Sequence, residues 1–254
     1  MAEAKKEGLD LMSYLYTKTF KCPVCLNDFI DFLIRRSKLR AVGTDSDFRT
    51  HYQDIDPNLY EVTLCTYCGY AALSSSFDRI TSRQQDMIKE KITPSYKYVE
   101  FSLPLTPQDA LTRYKMALNC VQAVEGKASQ KAVLCLKMAW IYRDAGDEKT
   151  ELTLLRYAYA GFKEAFMTEN FPLGAMDEST TKYLIAELAR RLRDYEEALK
   201  MVGDVIVSRS TTGSLKNRAQ DLKERIREER EIYEKAKSAK AAATAAAPAP
   251  ATSS

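Results

Sequence analysis

The sequence holds one histidine, His51, and its nine glycines form no phosphate-cradling loop. Without a second imidazole or a recognisable nucleophile–base arrangement, an enzyme is the reading with least support. No stretch of eighteen or more apolar residues occurs, so no transmembrane helix is expected. The opening MAEAKKEGLDLMSYLY lacks the apolar core and small-residue cleavage site of a secretory leader. A cytoplasmic protein with no membrane partner is the expectation. The formal net charge is only +3, too small to imply a polyanionic partner by itself.

What is present is ordinary globular composition, 45% hydrophobic and 29% charged, over 254 residues. That length favours two units of unequal size. Six cysteines are distributed unevenly: Cys22, Cys25, Cys65 and Cys68 form two Cys-x-x-Cys pairs, and Cys120 and Cys135 stand alone. In a reducing compartment such pairs are metal ligands more readily than disulfides.

Along the chain, Tyr14 to Lys21 reads as an extended approach to the first pair, and Phe29 to Arg36 as a strand rich in aromatic and β-branched residues. Val42 to Asn58, with Gly43, several aspartates and the turn signal Asp56-Pro57-Asn58, reads as an irregular loop. Leu59 to Leu64 then reads as a strand entering the second pair. From Ser76 the apolar period becomes helical, and the residue before Pro94 marks an end. Tyr96 to Leu105 is read as an extended linker carrying the domain boundary. Thr106-Pro107-Gln108-Asp109 combines a capping residue, a proline at the first helical position and an acid in the first turn, so a helix starts there and runs to about Gly126.

Further helices are predicted near residues 130–145, 149–168, 180–191 and 195–207, the last opened by Asp194 and Glu197. A charged helix over 214–239 keeps only the narrow stripe Leu215, Leu222, Ile226 and Tyr233. The predicted domains are therefore a zinc-binding module with a trailing helix (14–92), a helical domain (106–239) and a disordered Ala/Pro tail (240–254).

Two Cys-x-x-Cys turns offer four sulfurs to one tetrahedral ion, and zinc is the metal those ligands suit. Residues 26–64 separate the pairs, a longer interval than short zinc ribbons use. Four cysteines leave no open coordination position, so the zinc is structural. A redox role is the alternative, though the flanks lack a thioredoxin-like pattern. His51 reads as a polar surface residue, Cys120 and Cys135 as buried thiols, and the Asp45/Asp47 pair as loop solvation or turn formation.

Lys18, Lys21, Arg35, Arg36, Lys38 and Arg40 cluster around the first pair. They invite a nucleic-acid reading, because basic side chains contact phosphates. Four thiolates and one zinc ion also carry a net charge of minus two, which nearby cations would offset. Both explanations stay open on sequence.

In the helical part, Ala139 and Tyr142 before Gly146-Asp147, and Ala186, Ala189 and Ala198 around Asp194-Tyr195, match the small and aromatic positions of tetratricopeptide repeats. Ala139 and Ala186 are 47 residues apart, so the repeat would be irregular. An ordinary helical bundle is the competing reading.

Over residues 21–75 the chain resembles the bacterial domain-of-unknown-function family 2225 (DUF2225). The resemblance rests on Cys22, Pro23, Cys25, Phe29, Arg40, Asp45-Ser46-Asp47-Phe48, Tyr52, Asn58, Tyr60, and Cys65 and Cys68 with Gly69-Tyr70-Ala71. It implies a cytosolic bacterial protein with a metal-binding N-terminal part and a helical C-terminal part. Leu26 stands where a glycine often follows the first pair, and the Ala/Pro tail lies outside the resemblance.

The combined expectation is an α+β, mainly α protein: a small zinc-ribbon-like N-terminal module followed by a tetratricopeptide-like helical domain. Its function is expected to be that of a zinc-stabilised interaction or scaffold protein binding a protein or peptide partner. Nucleic-acid binding through the basic module is the alternative.

Overall fold

Each cysteine pair sits at the tip of an antiparallel hairpin in the computed structural model of the chain, which describes residues 10–245. Strand β1 (Leu15–Lys21) pairs with β2 (Asp28–Ile34), with Leu15 opposite Ile34 and Phe20 opposite Phe29. The second pair lies between β5 (Val62–Leu64) and β6 (Ala71–Leu73), with Leu64 opposite Ala71. Under the tips, Phe20, Phe29, Tyr70 and Phe77 form one buried aromatic cluster. Its ring centroids are 4.9 to 5.8 Å apart, the range of favourable stacked and edge contacts. A second buried group joins Leu15, Ile55, Tyr60 and Leu105.

The stretch expected to be an irregular loop is partly ordered as a third hairpin, β3 (Ala41–Thr44) with β4 (Thr50–Tyr52). Its strands are short, β3 exposed throughout and β4 half-buried throughout, so neither shows an alternation that could register as a period. The Asp56-Pro57 signal opens a 3-10 helix over Pro57–Tyr60, whose Asp56 carboxylate accepts from Asn58 N at 2.9 Å. The strand expected from Leu59 therefore begins only at Val62. Helix α1 (Ser82–Lys91) starts later than the sequence suggested, behind a Thr81–Gln84 capping box. Phe77, which fits the helical apolar period counted from Ser76, fills the aromatic cluster instead.

The stretch read as a linker is not a boundary. Leu105 is buried and its N–H donates to the Tyr60 hydroxyl at 2.9 Å, while the Tyr96 ring covers Gly69. The chain divides into two compact units at another place, Met1–Gly174 and Ala175–Ser254. The first unit thus contains the cysteine module together with α2 (Pro107–Ala123), α3 (Ala128–Asp144) and α4 (Glu148–Thr168). Thr106 caps α2, as expected, and the first-turn acid Asp109 completes the cap by accepting from Thr106 N–H. Helices α3 and α4 pack side by side, close enough that a Cβ on Gly161 would lie 3.0 Å from Ala132 Cβ.

The second unit holds α5 (Glu178–Arg191), α6 (Tyr195–Val207) and α7 (Gly213–Ala245). Fully buried Glu187 accepts from Arg190 and Arg191, each at 2.7 Å, and Arg190 reaches Glu229 on α7 at 2.6 Å. Part of the expected tail is helical, because α7 continues to Ala245 through alanines, the best helix formers. Residues 246–254 and 1–9 lie outside the described residues. No helix among the described residues is long and apolar enough to cross a membrane.

A polar clamp holds the third hairpin on α3. Asp45 and Asp47, expected to be solvated turn residues, do otherwise: Asp47 is fully buried, takes Arg143 Nη2 at 2.6 Å and accepts from the Trp140 indole at 3.0 Å. Arg143 also reaches Asp45 at 3.0 Å and Glu151 at 2.7 Å. Buried Arg49 pairs with Asp144 and donates to the Trp140 carbonyl. Asp47→Ala strands the Arg143 guanidinium without its most buried partner, at an expected cost of about 3 kcal/mol. Asp45→Ala, at a partly solvated position, is expected to cost under about 1 kcal/mol. Urea titration followed by fluorescence of Trp140, the only tryptophan in the sequence, reads both.

Candidate metal centre

Two turns of the same build carry the four cysteines. In the first, Leu26 N–H donates to Cys22 O at 3.0 Å and Cys22 N–H to Asn27 O at 2.9 Å. In the second, Gly69 N–H donates to Cys65 O at 3.0 Å and Cys65 N–H to Tyr70 O at 2.8 Å. The residue after each pair adopts a left-handed backbone, Leu26 at φ 64° and Gly69 at φ 76°. Both tips turn their sulfurs inward, and Val24 N–H approaches Cys22 Sγ at 3.4 Å.

The four sulfurs meet. All lie within 4.8 Å of one another, with Cys22 to Cys68 and Cys25 to Cys65 both 3.6 Å. Zinc–sulfur bonds of about 2.3 Å in a tetrahedron place sulfurs roughly 3.8 Å apart. Cys22, Cys65 and Cys68 are buried, Cys25 is half-buried, and none is in a disulfide. The donor set therefore fits a soft or borderline divalent ion. Hydrogen bonds from Cys65 and then Cys68 pull the Cys22 thiol down to about 2, against the cost of burial. The same bond pushes Cys65 up to about 12, and donation to Cys22 raises Cys68 as well. A bound cation would supply the charge that lets such a buried cluster shed its protons.

His51 stands apart from the cluster, its Nε2 2.8 Å from Asp45 Oδ1. Cys120 and Cys135 are buried, and burial pushes both thiols up to about 11. Cys120 does more than fill space: Ala71 N–H approaches its sulfur at 3.4 Å and the thiol donates to Gly69 O at 3.6 Å. It thus ties α2 to the second tip. Neither that link nor the Tyr96 ring over Gly69 has a local signal, since each joins segments far apart in sequence.

The six cations do not gather around the cysteines. Lys21 adjoins Cys22, but Arg35, Arg36, Lys38 and Arg40 follow the Leu15–Ile34 end of the hairpin. Seven strand residues put that end roughly 20 Å away. All six side chains are exposed.

Comparison with known proteins places the chain beside bacterial sequences. The family model described as "Uncharacterized protein conserved in bacteria (DUF2225)" matches residues 15–233. An "Uncharacterized protein" of Borreliella burgdorferi is 25% identical over 156 residues, covering 54% of this chain and 56% of that protein. The chain thus spans little more than half the length of that relative. No solved structure matches.

Leu26 is 67% exposed and contributes little packing, so nothing offsets the cost of holding a leucine, rather than a glycine, in the left-handed backbone that the turn requires. Leu26→Gly is expected to stabilise the metal-loaded protein by about 1 kcal/mol. Gly69→Ala is expected to destabilise it, because the added Cβ would lie 2.5 Å from Tyr96 Cδ2. Thermal unfolding of both variants at saturating zinc checks the opposite signs.

Proposed function

The chain belongs to the bacterial DUF2225 family, and from that premise we propose a zinc-stabilised interaction or scaffold protein that binds a protein or peptide partner through its helices. The observation that carries the zinc part is the convergence of four cysteine sulfurs within 4.8 Å. Four thiolates would complete the coordination of a zinc ion and leave no position for substrate or water, so an ion held by Cys22, Cys25, Cys65 and Cys68 would hold a zinc-ribbon-like module together rather than take part in a reaction.

Support for the scaffold part comes from two helical hairpins built on one plan. Asp147 N–H donates to Tyr142 O at 3.0 Å, and Asp194 N–H to Ala189 O at 2.9 Å. Gly146 and Arg193 take the left-handed backbone in these turns, and Asp147 and Asp194 then cap α4 and α6. Each residue of the second set follows its counterpart by 47 positions, the offset that also relates Ala139 to Ala186. This regularity favours a tetratricopeptide-like arrangement over an ordinary bundle. The second helix of each hairpin exposes large apolar side chains, Tyr157 and Met167 on α4 and Val207 on α6, each at least 65% exposed. A second reading, nucleic-acid binding, is favoured by the exposed cations of the first hairpin.

Elemental analysis of protein purified without added zinc is expected to give about one zinc per chain. The ion should be lost in a Cys65→Ser/Cys68→Ser variant, with loss of the N-terminal fold. Metal-free protein after reduction would refute the zinc assignment and favour a redox dithiol. A photo-crosslinking residue at Tyr157 is expected to trap a discrete protein adduct in cells of the source bacterium; the scaffold reading fails if Tyr157 and the polar surface position Glu224 give the same adducts.

A further inference from the structure

The arginine-rich end of the β1–β2 hairpin has a charge and a set of neighbours that the metal does not account for. A screening length of about 8 Å at physiological salt is short beside the roughly 20 Å that separates this end from the sulfurs. Offsetting thiolate charge can explain Lys21 and does not explain Arg35, Arg36, Lys38 or Arg40. None of these four forms an ion pair with a carboxylate among the described residues. Over residues 14–40 there are six cations against Asp28 and Asp31, a net +4, so the rest of the chain, at +3 overall, is −1. Asp31 is itself buried and paired with Arg113. All of the chain's excess positive charge is on this one hairpin and the turn that follows it.

The cations are also interleaved with aromatic rings. The Arg35 guanidinium lies 5.4 Å from the Tyr16 ring centroid, and Lys38 Nζ lies 5.6 Å from that of Tyr14. Strand alternation puts Tyr16 and Lys18 on one face of β1. Tyr16 is 36% exposed. Arg35 spends only Nε on the protein, donating to Leu15 O at 3.1 Å, which fixes its stem and leaves the terminal N–H groups free to reach a phosphate. Unpaired cations select a polyanion, and an accessible ring beside them selects one whose bases are unstacked.

We infer that this end of the hairpin binds single-stranded nucleic acid, with Arg35, Arg36, Lys38 and Arg40 on phosphates and a base stacked on Tyr16. The inference deepens the second reading above and rests on it. An ion held by the four cysteines would then serve beyond folding: by closing the other end of the hairpin, it would hold the strands that aim these side chains.

The test is fluorescence anisotropy of labelled RNA and DNA strands, about twenty mixed nucleotides long, with the zinc-loaded full chain across a salt series. Arg35→Gln/Lys38→Gln is expected to lower the log–log salt slope by about 1.4, near 0.7 per lost phosphate contact. Tyr16→Leu is expected to weaken binding about tenfold at unchanged slope, the loss of a stacked base. Arg227→Gln/Arg230→Gln on α7 should leave binding unchanged, and zinc content with Trp140 fluorescence verifies that each variant is folded. No binding at low salt overturns the nucleic-acid reading altogether. Binding that survives the hairpin substitutions keeps that reading and overturns this surface. Equal affinity for a duplex with no Tyr16 effect, or tighter binding to phosphatidylglycerol vesicles, overturns the single-strand assignment.

Discussion

Four sulfurs must reach one point, and that requirement organises the N-terminal half of the protein. The two tips that deliver them are separated by residues 26–64, which must leave the first hairpin and return within bonding distance of it. A left-handed residue after each pair aims the sulfurs inward, and the aromatic cluster of Phe20, Phe29, Tyr70 and Phe77 supplies the floor beneath them. The cluster is small, with few strands around it. Sheets of two strands are marginal in water without further support; packing on α2 provides part of it, and an ion held by the four sulfurs would add a cross-link. Cys120 and Tyr96 belong to that support, one fastening Gly69 to a helix and the other covering it.

The returning segment is held by charge as well as by apolar packing. Asp47 and Arg49 both lie in the turn between the strands of a short hairpin, yet both are buried against α3, where Arg143, Asp144 and Trp140 receive them. Buried ion pairs of this kind contribute little net stability over an apolar packing, but leaving one partner alone is costly, so they fix a single register. Asn58 adds a neutral version of the same device, donating to Lys137 O at 3.0 Å and accepting from the Tyr114 hydroxyl at 2.9 Å. The cysteine module and the first helices therefore form one unit.

Functionally, the structure separates two features that stand together in the sequence. Cations flank the first cysteine pair along residues 18–40, so they look like counter-charges to the thiolates. A β-hairpin is a spacer as well as a scaffold, and its length puts most of the cations beyond electrostatic reach of the four sulfurs while leaving them exposed. The helical hairpins show the converse. Their shared turn is evident from the 47-residue offset, although one turn uses Gly146 and the other Arg193, whose guanidinium lies 5.5 Å from the Tyr233 ring centroid.

Local chemistry was legible in the sequence. The Cys-x-x-Cys turns, the Thr106 and Asp194 caps, the helix ends near Gly146 and Val207 and the first pair of strands each depend on a few adjacent residues, and those residues state the outcome. What tertiary structure decided were the properties that require a distant partner. Asp47 looks like a turn aspartate until Arg143, 96 residues away, removes it from water. Phe77 fits a helical period until the aromatic cluster claims it, and the span before Leu105 looks like a linker until Tyr60 accepts its N–H. The reason is common to all three. Propensity and periodicity act over one or two turns of chain, whereas burial, pairing and the distance of a cation from a metal are set by which segments the folded chain brings together.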